Sequence, residues 1–281
     1  MSGFWRNGSV QDLTSMDFTI RQYRELIRAF IESGYQISTV RQYLETGPSG
    51  KVLVLRHDVD EQPQNALKMA EAEKGLGVNA TYYFRRVSKS DHPDVIRKIA
   101  AMGHEIGYHY EDLTLSEGDL PAAIDSFSQN LEYFRHYYPV KTVCMHGSSS
   151  SRFDNREIWK QVKLSDYSLI GEPYLSFDFN RIYYLTDTGY AWDGGKYAVR
   201  DKVESPFSLS FHRTDEVIEA VRNGQFPEQS LVLAHTLWTD SLPRWTFLHL
   251  REFFRNRVKL LSKNNKVVAA LYNKMVKLYW K

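Results

Sequence analysis

Apolar positions along this chain switch between two periods. Ile20, Tyr23, Ile27, Phe30 and Ile31 recur at the spacing of one helix face, and Gly34 follows as a stop. Lys51 to Leu55 is instead a short run rich in Val and Leu, the pattern of a strand buried on both faces. The switch repeats downstream. Strands are expected at 80–84, 104–109, 140–145, 167–170, 182–185 and 231–234. Helices are expected at 64–74, at 94–102 (closed by Gly103), and at 120–137, 156–162 and 214–222. Strands alternating with helices indicate a parallel α/β arrangement, and about seven of them suggest barrel-like closure rather than an open sheet. The stretch 171–207 is irregular and aromatic and is expected to form excursion loops.

Length and composition narrow the class. A chain of 281 residues suits one large α/β domain or two small ones, and 42% hydrophobic with 25% charged residues is ordinary for a soluble globular protein. The single cysteine, Cys144, rules out an intramolecular disulfide and favours a reducing compartment. Met1 to Val10 lacks the apolar core of a signal peptide, and no stretch has the length of a membrane span. A cytoplasmic protein is expected. The net charge of +2 is unevenly spread: 251–281 carries nine Lys/Arg and one acid, Glu252. In that tail Phe253, Phe254, Val258 and Leu261, then Val267, Val268, Leu271, Tyr272, Met275 and Tyr279, recur at helical spacing, interrupted at Asn264-Asn265. The chain therefore divides into a barrel, 1–247, and a basic amphipathic helical tail, 248–281. Such a tail suits the anionic inner face of a membrane; the alternative is a helix whose apolar side packs on the barrel. Nucleic acid is excluded as a partner, because the body is acidic and carries no recognition motif.

The first strand ends in Arg56-His57-Asp58-Val59-Asp60. Strand side chains alternate, so Asp58 and Asp60 point the same way. Two carboxylates on one face of a buried strand repel and are desolvated unless a cation, a proton or donors compensate. One of them could cap the next helix, but a cap needs only one. Other strand ends carry the same kind of residue: Arg85, then His109 with Glu111, then His146, and finally His235. A lone histidine is usually structural, but strands that each finish in a titratable residue point to one site at their C-terminal ends. Carboxylate and imidazole ligands suit zinc or another divalent first-row ion with a position left for water.

Three segments, Arg56-His57-Asp58-Val59-Asp60, Gly103-His104-Glu105-Ile106-Gly107-Tyr108-His109 and Leu231-Val232-Leu233-Ala234-His235, stand in an order and spacing that resembles the NodB-like polysaccharide deacetylases, carbohydrate esterase family 4, in a divergent His-Asp-Val-Asp form. The resemblance runs from about Leu26 to Asp240. It implies a distorted (β/α)7 barrel and metal-dependent deacetylation of a sugar. By position it implies Asp58 as base, Asp60 and His109 as metal ligands, and His235 as the acid for the leaving group. The family's second metal histidine falls on Leu113, so Glu111, Asp112 or His146 must supply that ligand, and Glu111 is preferred because it shares a face with His109. The family's arginine-proline motif is replaced by His146-Gly147-Ser148. Arg85, His146 and Trp238 are expected on the substrate side. Arg85 would anchor a carboxylate or phosphate, or else pair with Asp58 or Asp60. Trp238 and Trp245 would stack on a sugar or cap the barrel. Asp187, Trp192 and Asp193 lie where the family has an aspartate-tryptophan motif. Ser148 to Ser151 lack a nucleophile elbow and are expected to form a loop. The expected partner is an acylated sugar, oligosaccharide or lipid-linked glycan in surface-polysaccharide (lipopolysaccharide or capsule) assembly. The alternative is a catalytically altered barrel that binds glycan or organises a membrane-associated complex.

Overall fold

The computed structural model describes residues 16–147, 151–192 and 202–264, with side chains as far as Leu261. Helix α1 (Ile20–Glu32) starts at Thr19, whose side chain accepts the Gln22 N–H, and it buries Tyr23, Leu26, Ile27 and Phe30. Then follow β1 (Gln36–Ser38), α2 (Val40–Thr46), β2 (Val52–Val59), α3 (Pro63–Gly75), β3 (Thr81–Phe84), α4 (Pro93–Ala101), β4 (Glu105–Tyr110), α5 (Asp112–Leu115), α6 (Leu120–Arg135) and β5 (Val143–Met145). After two short 3-10 turns come α7 (Pro173–Ser176), β6 (Tyr183–Thr186), α8 (Thr214–Arg222), β7 (Gln229–Leu233) and α9 (Leu242–Asn264).

Every strand pairing is parallel, in the order β5-β4-β3-β2-β7-β6, with β1 added beside β2. β2 is the axis. β7 runs along one side of it from Val52 to Arg56, while β1 and β3 share the other, β1 at Val52–Val54 and β3 at Arg56–Val59. All eight residues of β2 are buried, as its unbroken apolar start predicts. Leu53, Leu55 and Val59 pack outward with the helices; Val52 and Val54 face inward. That inner cluster also holds Tyr83 of β3, Cys144 of β5, Leu231 of β7, and Phe177 and Ile182 from the stretch before β6. Side chains from both flanks meet around β2, so the sheet is curled into a partial barrel.

Closure is incomplete. Among the described residues β5 and β6 do not pair with each other. The segment around α7 occupies the seam: Gly171 bridges to Thr142, Glu172 accepts the Met145 N–H at 2.9 Å, and the Tyr174 hydroxyl lies 3.3 Å from that of Tyr184.

The strand expected at 167–170 does not form. Leu164–Tyr167 is a 3-10 turn, and only an isolated bridge follows, at Gly171. The helix expected at 156–162 is 3-10 as well, Asn155–Lys160. α9 continues unbroken through residues 247 and 248. The tail residues 265–281, with Asp193 and Ser148–Ser150, lie outside the described residues. Among the described residues no helix is long and apolar enough to cross a membrane.

Candidate functional site

The C-terminal ends of β2, β4, β5 and β7 converge, each delivering a titratable residue. Asp58 and Asp60 leave β2 on the same side, as strand alternation requires. His109 is the penultimate residue of β4, and His146 and His235 follow β5 and β7. His109 Nδ1 lies 2.9 Å from the Cys144 carbonyl, which can only accept, so this nitrogen carries the hydrogen. Its Nε2 is left 3.5 Å from both Asp58 Oδ2 and Asp60 Oδ1. His146 is set in the same manner. Its Nδ1 donates to Glu111 Oε2 at 2.9 Å, and its Nε2 stands 3.5 Å from the same Asp60 Oδ1.

Asp60 Oδ1 is therefore faced by two imidazole nitrogens, yet it is buried and makes no hydrogen bond. A buried carboxylate oxygen without a donor is costly. The 3.5 Å separations are close to the roughly 3.3 Å between neighbouring ligands of a tetrahedral zinc site. The donor chemistry and the orphaned oxygen both fit a divalent cation held by Asp60, His109 and His146. The grouping whose ligand atoms all lie within 4.8 Å of one another among the described residues is a different one, Asp58, His109 and Cys144. It suits a cation less well, because both Asp58 oxygens are taken by the Arg56 guanidinium, at 3.2 and 2.8 Å.

The charges are strongly coupled. Burial works to raise the Asp60 carboxyl, but His146, His109 and Arg85 outweigh it and hold it well below the usual range. Burial likewise opposes ionisation of Asp58, and Arg56 with His109 overcomes it. His109 is pushed down by burial and up, further, by Asp58 and Asp60. For His235 burial also disfavours the charge, but Asp187 Oδ1 lies 2.7 Å from Nδ1 and lifts the imidazole to about 10. Asp187 is itself fixed by the His235 backbone N–H at 2.9 Å and by the Trp238 indole N–H at 2.9 Å.

Several expected residues take other places. Glu111 does not turn to Asp60; it accepts two bonds from Arg85, at 2.8 and 2.6 Å, and orients His146. Those partners outweigh its burial and hold it at about 2. The strand ends at Tyr110, so Glu111 loses the face it was expected to share with His109, and His146 faces Asp60 instead. Arg85 pairs with Glu111 rather than with Asp58 or Asp60. Trp238 is fully buried and braces Asp187, which removes it as a stacking platform. Trp245 gives its indole N–H to the Asp17 carbonyl and anchors α9. Asp112 is closed off by Tyr108, Ser126 and Asn130, and Leu113 is buried in the core.

Sequence reasoning missed Arg56 and Tyr174. Arg56 is buried, bidentate to Asp58, and donates to the Tyr174 hydroxyl at 3.1 Å. Its position two residues before Asp58 on one strand was the available signal. Tyr174 comes from the seam segment and had none.

No protein-family model matches the sequence, and no curated protein does. Among solved structures, a carbohydrate esterase family 4 pseudoenzyme from Bacillus anthracis is 15% identical with a TM-score of 0.41, covering 75% of this chain and 62% of that one. This chain thus spans under two thirds of the length of that protein. The peptidoglycan deacetylase PdaC from Bacillus subtilis is 12% identical with a TM-score of 0.38, over 78% of this chain and 100% of that one. A peptidoglycan deacetylase from Bdellovibrio bacteriovorus is 16% identical with a TM-score of 0.39, over 79% of this chain and 53% of that one. These three solved structures are one carbohydrate esterase family 4 pseudoenzyme and two peptidoglycan deacetylases.

Proposed function

We propose that this chain is a metal-dependent, deacetylase-like hydrolase that removes an acyl group from a sugar during surface-glycan assembly. The observation that supports it most is Asp60 Oδ1, buried without a hydrogen bond and faced by His109 and His146. Asp60, His109 and His146 would hold the ion, and two imidazoles with one carboxylate suit zinc. A divalent ion there supplies Lewis acidity toward a carbonyl oxygen and lowers the pKa of water. Asp58 takes the proton of the attacking water, with Arg56 keeping its carboxylate ionised and aimed. His235, held protonated by Asp187, returns a proton to the leaving nitrogen or oxygen. The substrate is an acylated sugar or oligosaccharide, lipid- or nucleotide-linked, handled on the cytoplasmic side.

Metal analysis of the purified chain, with acetate release from N-acetylated oligosaccharides, tests this. About one zinc per chain is expected, lost in Asp60→Ala, His109→Ala and His146→Ala. Metal content unchanged in all three variants removes the mechanism. One observation favours a second reading, a barrel that binds glycan without turning it over: Arg56 occupies both oxygens of the intended base. In that case Asp58→Asn alters neither binding nor acetate release. In the hydrolase it lowers turnover by about 10²–10⁴-fold while binding survives.

A further inference from the structure

α9 meets the barrel through a mixed row of apolar and polar side chains. Residues three and four apart share a helix face. Trp245, Leu248, Glu252 and Asn256 form one row; Phe247, Leu250, Phe254 and Leu261 form the opposite one. The first row is docked. Leu248, Glu252 and Asn256 are buried, Trp245 donates to the Asp17 carbonyl at 2.6 Å, and Asn256 donates to the Gly189 carbonyl at 2.9 Å. Arg251 pairs with Glu61, and Glu252 accepts from Arg255 at 2.6 Å. The second row is bare: Phe247 is 63% exposed, Leu250 55%, Phe254 63% and Leu261 61%.

An amphipathic helix that serves only to cover a core does the reverse and buries its apolar row. Here the two large aromatic and two leucine side chains face away from the body. The charges around them are one-sided. Between Leu242 and Asn264 there are six Lys/Arg and a single acid, Glu252, which is turned inward. Arg244 stands along one side of the stripe and Arg257 along the other, both exposed. An apolar stripe between arginines, with no exposed acid on the helix, complements a surface that is hydrocarbon beneath and anionic above.

The attachment also has a direction. Glu61 directly follows Asp60, and Gly189 closely follows Asp187, the partner of His235. Tyr190, whose ring centre lies 4.1 Å from that of His249, donates to the Leu237 carbonyl. α9 is thus fastened to the loops at the rim of the carboxylate–histidine site.

We propose that the Phe247/Leu250/Phe254/Leu261 face of α9 binds an anionic phospholipid bilayer and holds the rim of the site against it. The inference rests on α9 and its docking alone, so it survives even if the hydrolase reading fails. Co-sedimentation of the full chain with vesicles tests it, using phosphatidylcholine alone and with about one third phosphatidylglycerol. Binding to the anionic vesicles that weakens with added salt is expected. The double variant Phe247→Gln with Phe254→Gln should lose at least about tenfold in partitioning, while Ile170→Gln, an exposed apolar position beside the start of β5 at the end of the sheet opposite the site, binds as the parent does. Thermal melts confirm that each variant folds. Three results overturn the proposal: no vesicle binding by the full chain; binding unchanged in the double variant; or a dimer in solution that the double variant dissolves while vesicles are ignored. Acetate release from a soluble oligosaccharide is read in parallel, and its absence bears only on the hydrolase reading.

Discussion

Two carboxylate–histidine clusters sit on opposite faces of β2, one residue apart in sequence. On the outer face His57 donates Nδ1–H to the Ala234 carbonyl at 2.8 Å and reaches Glu73 at 2.7 Å. Glu73 also takes hydrogen bonds from the hydroxyls of Tyr23 and Tyr82. His104 completes the shell as a neutral ring. Burial lowers its pKa, its Nδ1 accepts the Ala80 N–H at 3.1 Å, and its Nε2 donates to the Ala70 carbonyl at 3.1 Å. On the inner face Asp60, His109 and His146 are the same residue types, yet Asp60 Oδ1 has no donor. The outer cluster is saturated by protein; the inner one is not. Saturation, rather than the presence of histidine and carboxylate, separates a structural network from a site that takes a ligand.

The sharpest contrast is a pair of substitutions. Asp60→Ala is expected to reduce metal content and acetate release to background while costing less stability than Glu73→Ala. Glu73→Ala strands a buried imidazole and two tyrosine hydroxyls, and should cost about 3–5 kcal/mol of unfolding free energy in urea titrations. Equal stability losses in the two variants would mean that the inner cluster is structural too. Next in size is Glu111→Gln, which keeps shape but weakens the acceptor that orients His146. Metal affinity should fall roughly 10–100-fold, and stability falls as well, because the buried Arg85 guanidinium loses its carboxylate; an unchanged affinity separates Glu111 from the site.

The smallest effect is in pH response, and it contrasts Glu73 of the outer cluster with His235 beside the inner one. Burial raises the Glu73 carboxyl, but His57 and the hydrogen bond from Tyr23 outweigh it and depress it. A depressed carboxyl stabilises the fold above its unfolded value, and the contribution is lost as pH falls through the folded value. His235 runs the other way. Its folded value, about 10, lies above the ordinary 6.5, so its contribution is complete below 6.5 and lost as pH rises through about 10. Urea unfolding across pH should therefore show an acid limb flattened by Glu73→Gln and an alkaline limb flattened by His235→Gln. An alkaline limb unchanged in His235→Gln refutes the Asp187 pairing.

Most of the α/β order was legible because strands buried on both faces leave unmistakable apolar runs, as at Val52–Leu55, and because helix stops such as Gly34 and Gly103 are local. β1 and α2 escaped, because three residues that include Gln36 and Ser38 carry no period. The convergence of Asp58, Asp60, His109, His146 and His235 could be anticipated from where strands end. Which of them would face one another could not, since the end of β4 at Tyr110 and the turn that carries Glu111 to Arg85 are decided by packing. Nor could the inverted docking of α9. Its apolar residues suited a membrane face and a barrel-facing stripe alike, and only the bonds of Asn256 and Trp245 to distant carbonyls show which side meets the body.

The position of β2 as axis has a consequence for how the chain assembles. β2, β3, β4 and β5 neighbour one another in sequence as in space, so Asp58, Asp60, His109 and His146 belong to a half-sheet closed by short crossovers. β7 must return from Gln229 to lie along Val52, across most of the chain, and only then does His235 arrive with Asp187. Long-range parallel pairing is slow relative to neighbouring crossovers. Refolding should thus produce a metal-competent half before the proton donor is in place, with cobalt absorption developing ahead of the Trp238 fluorescence change.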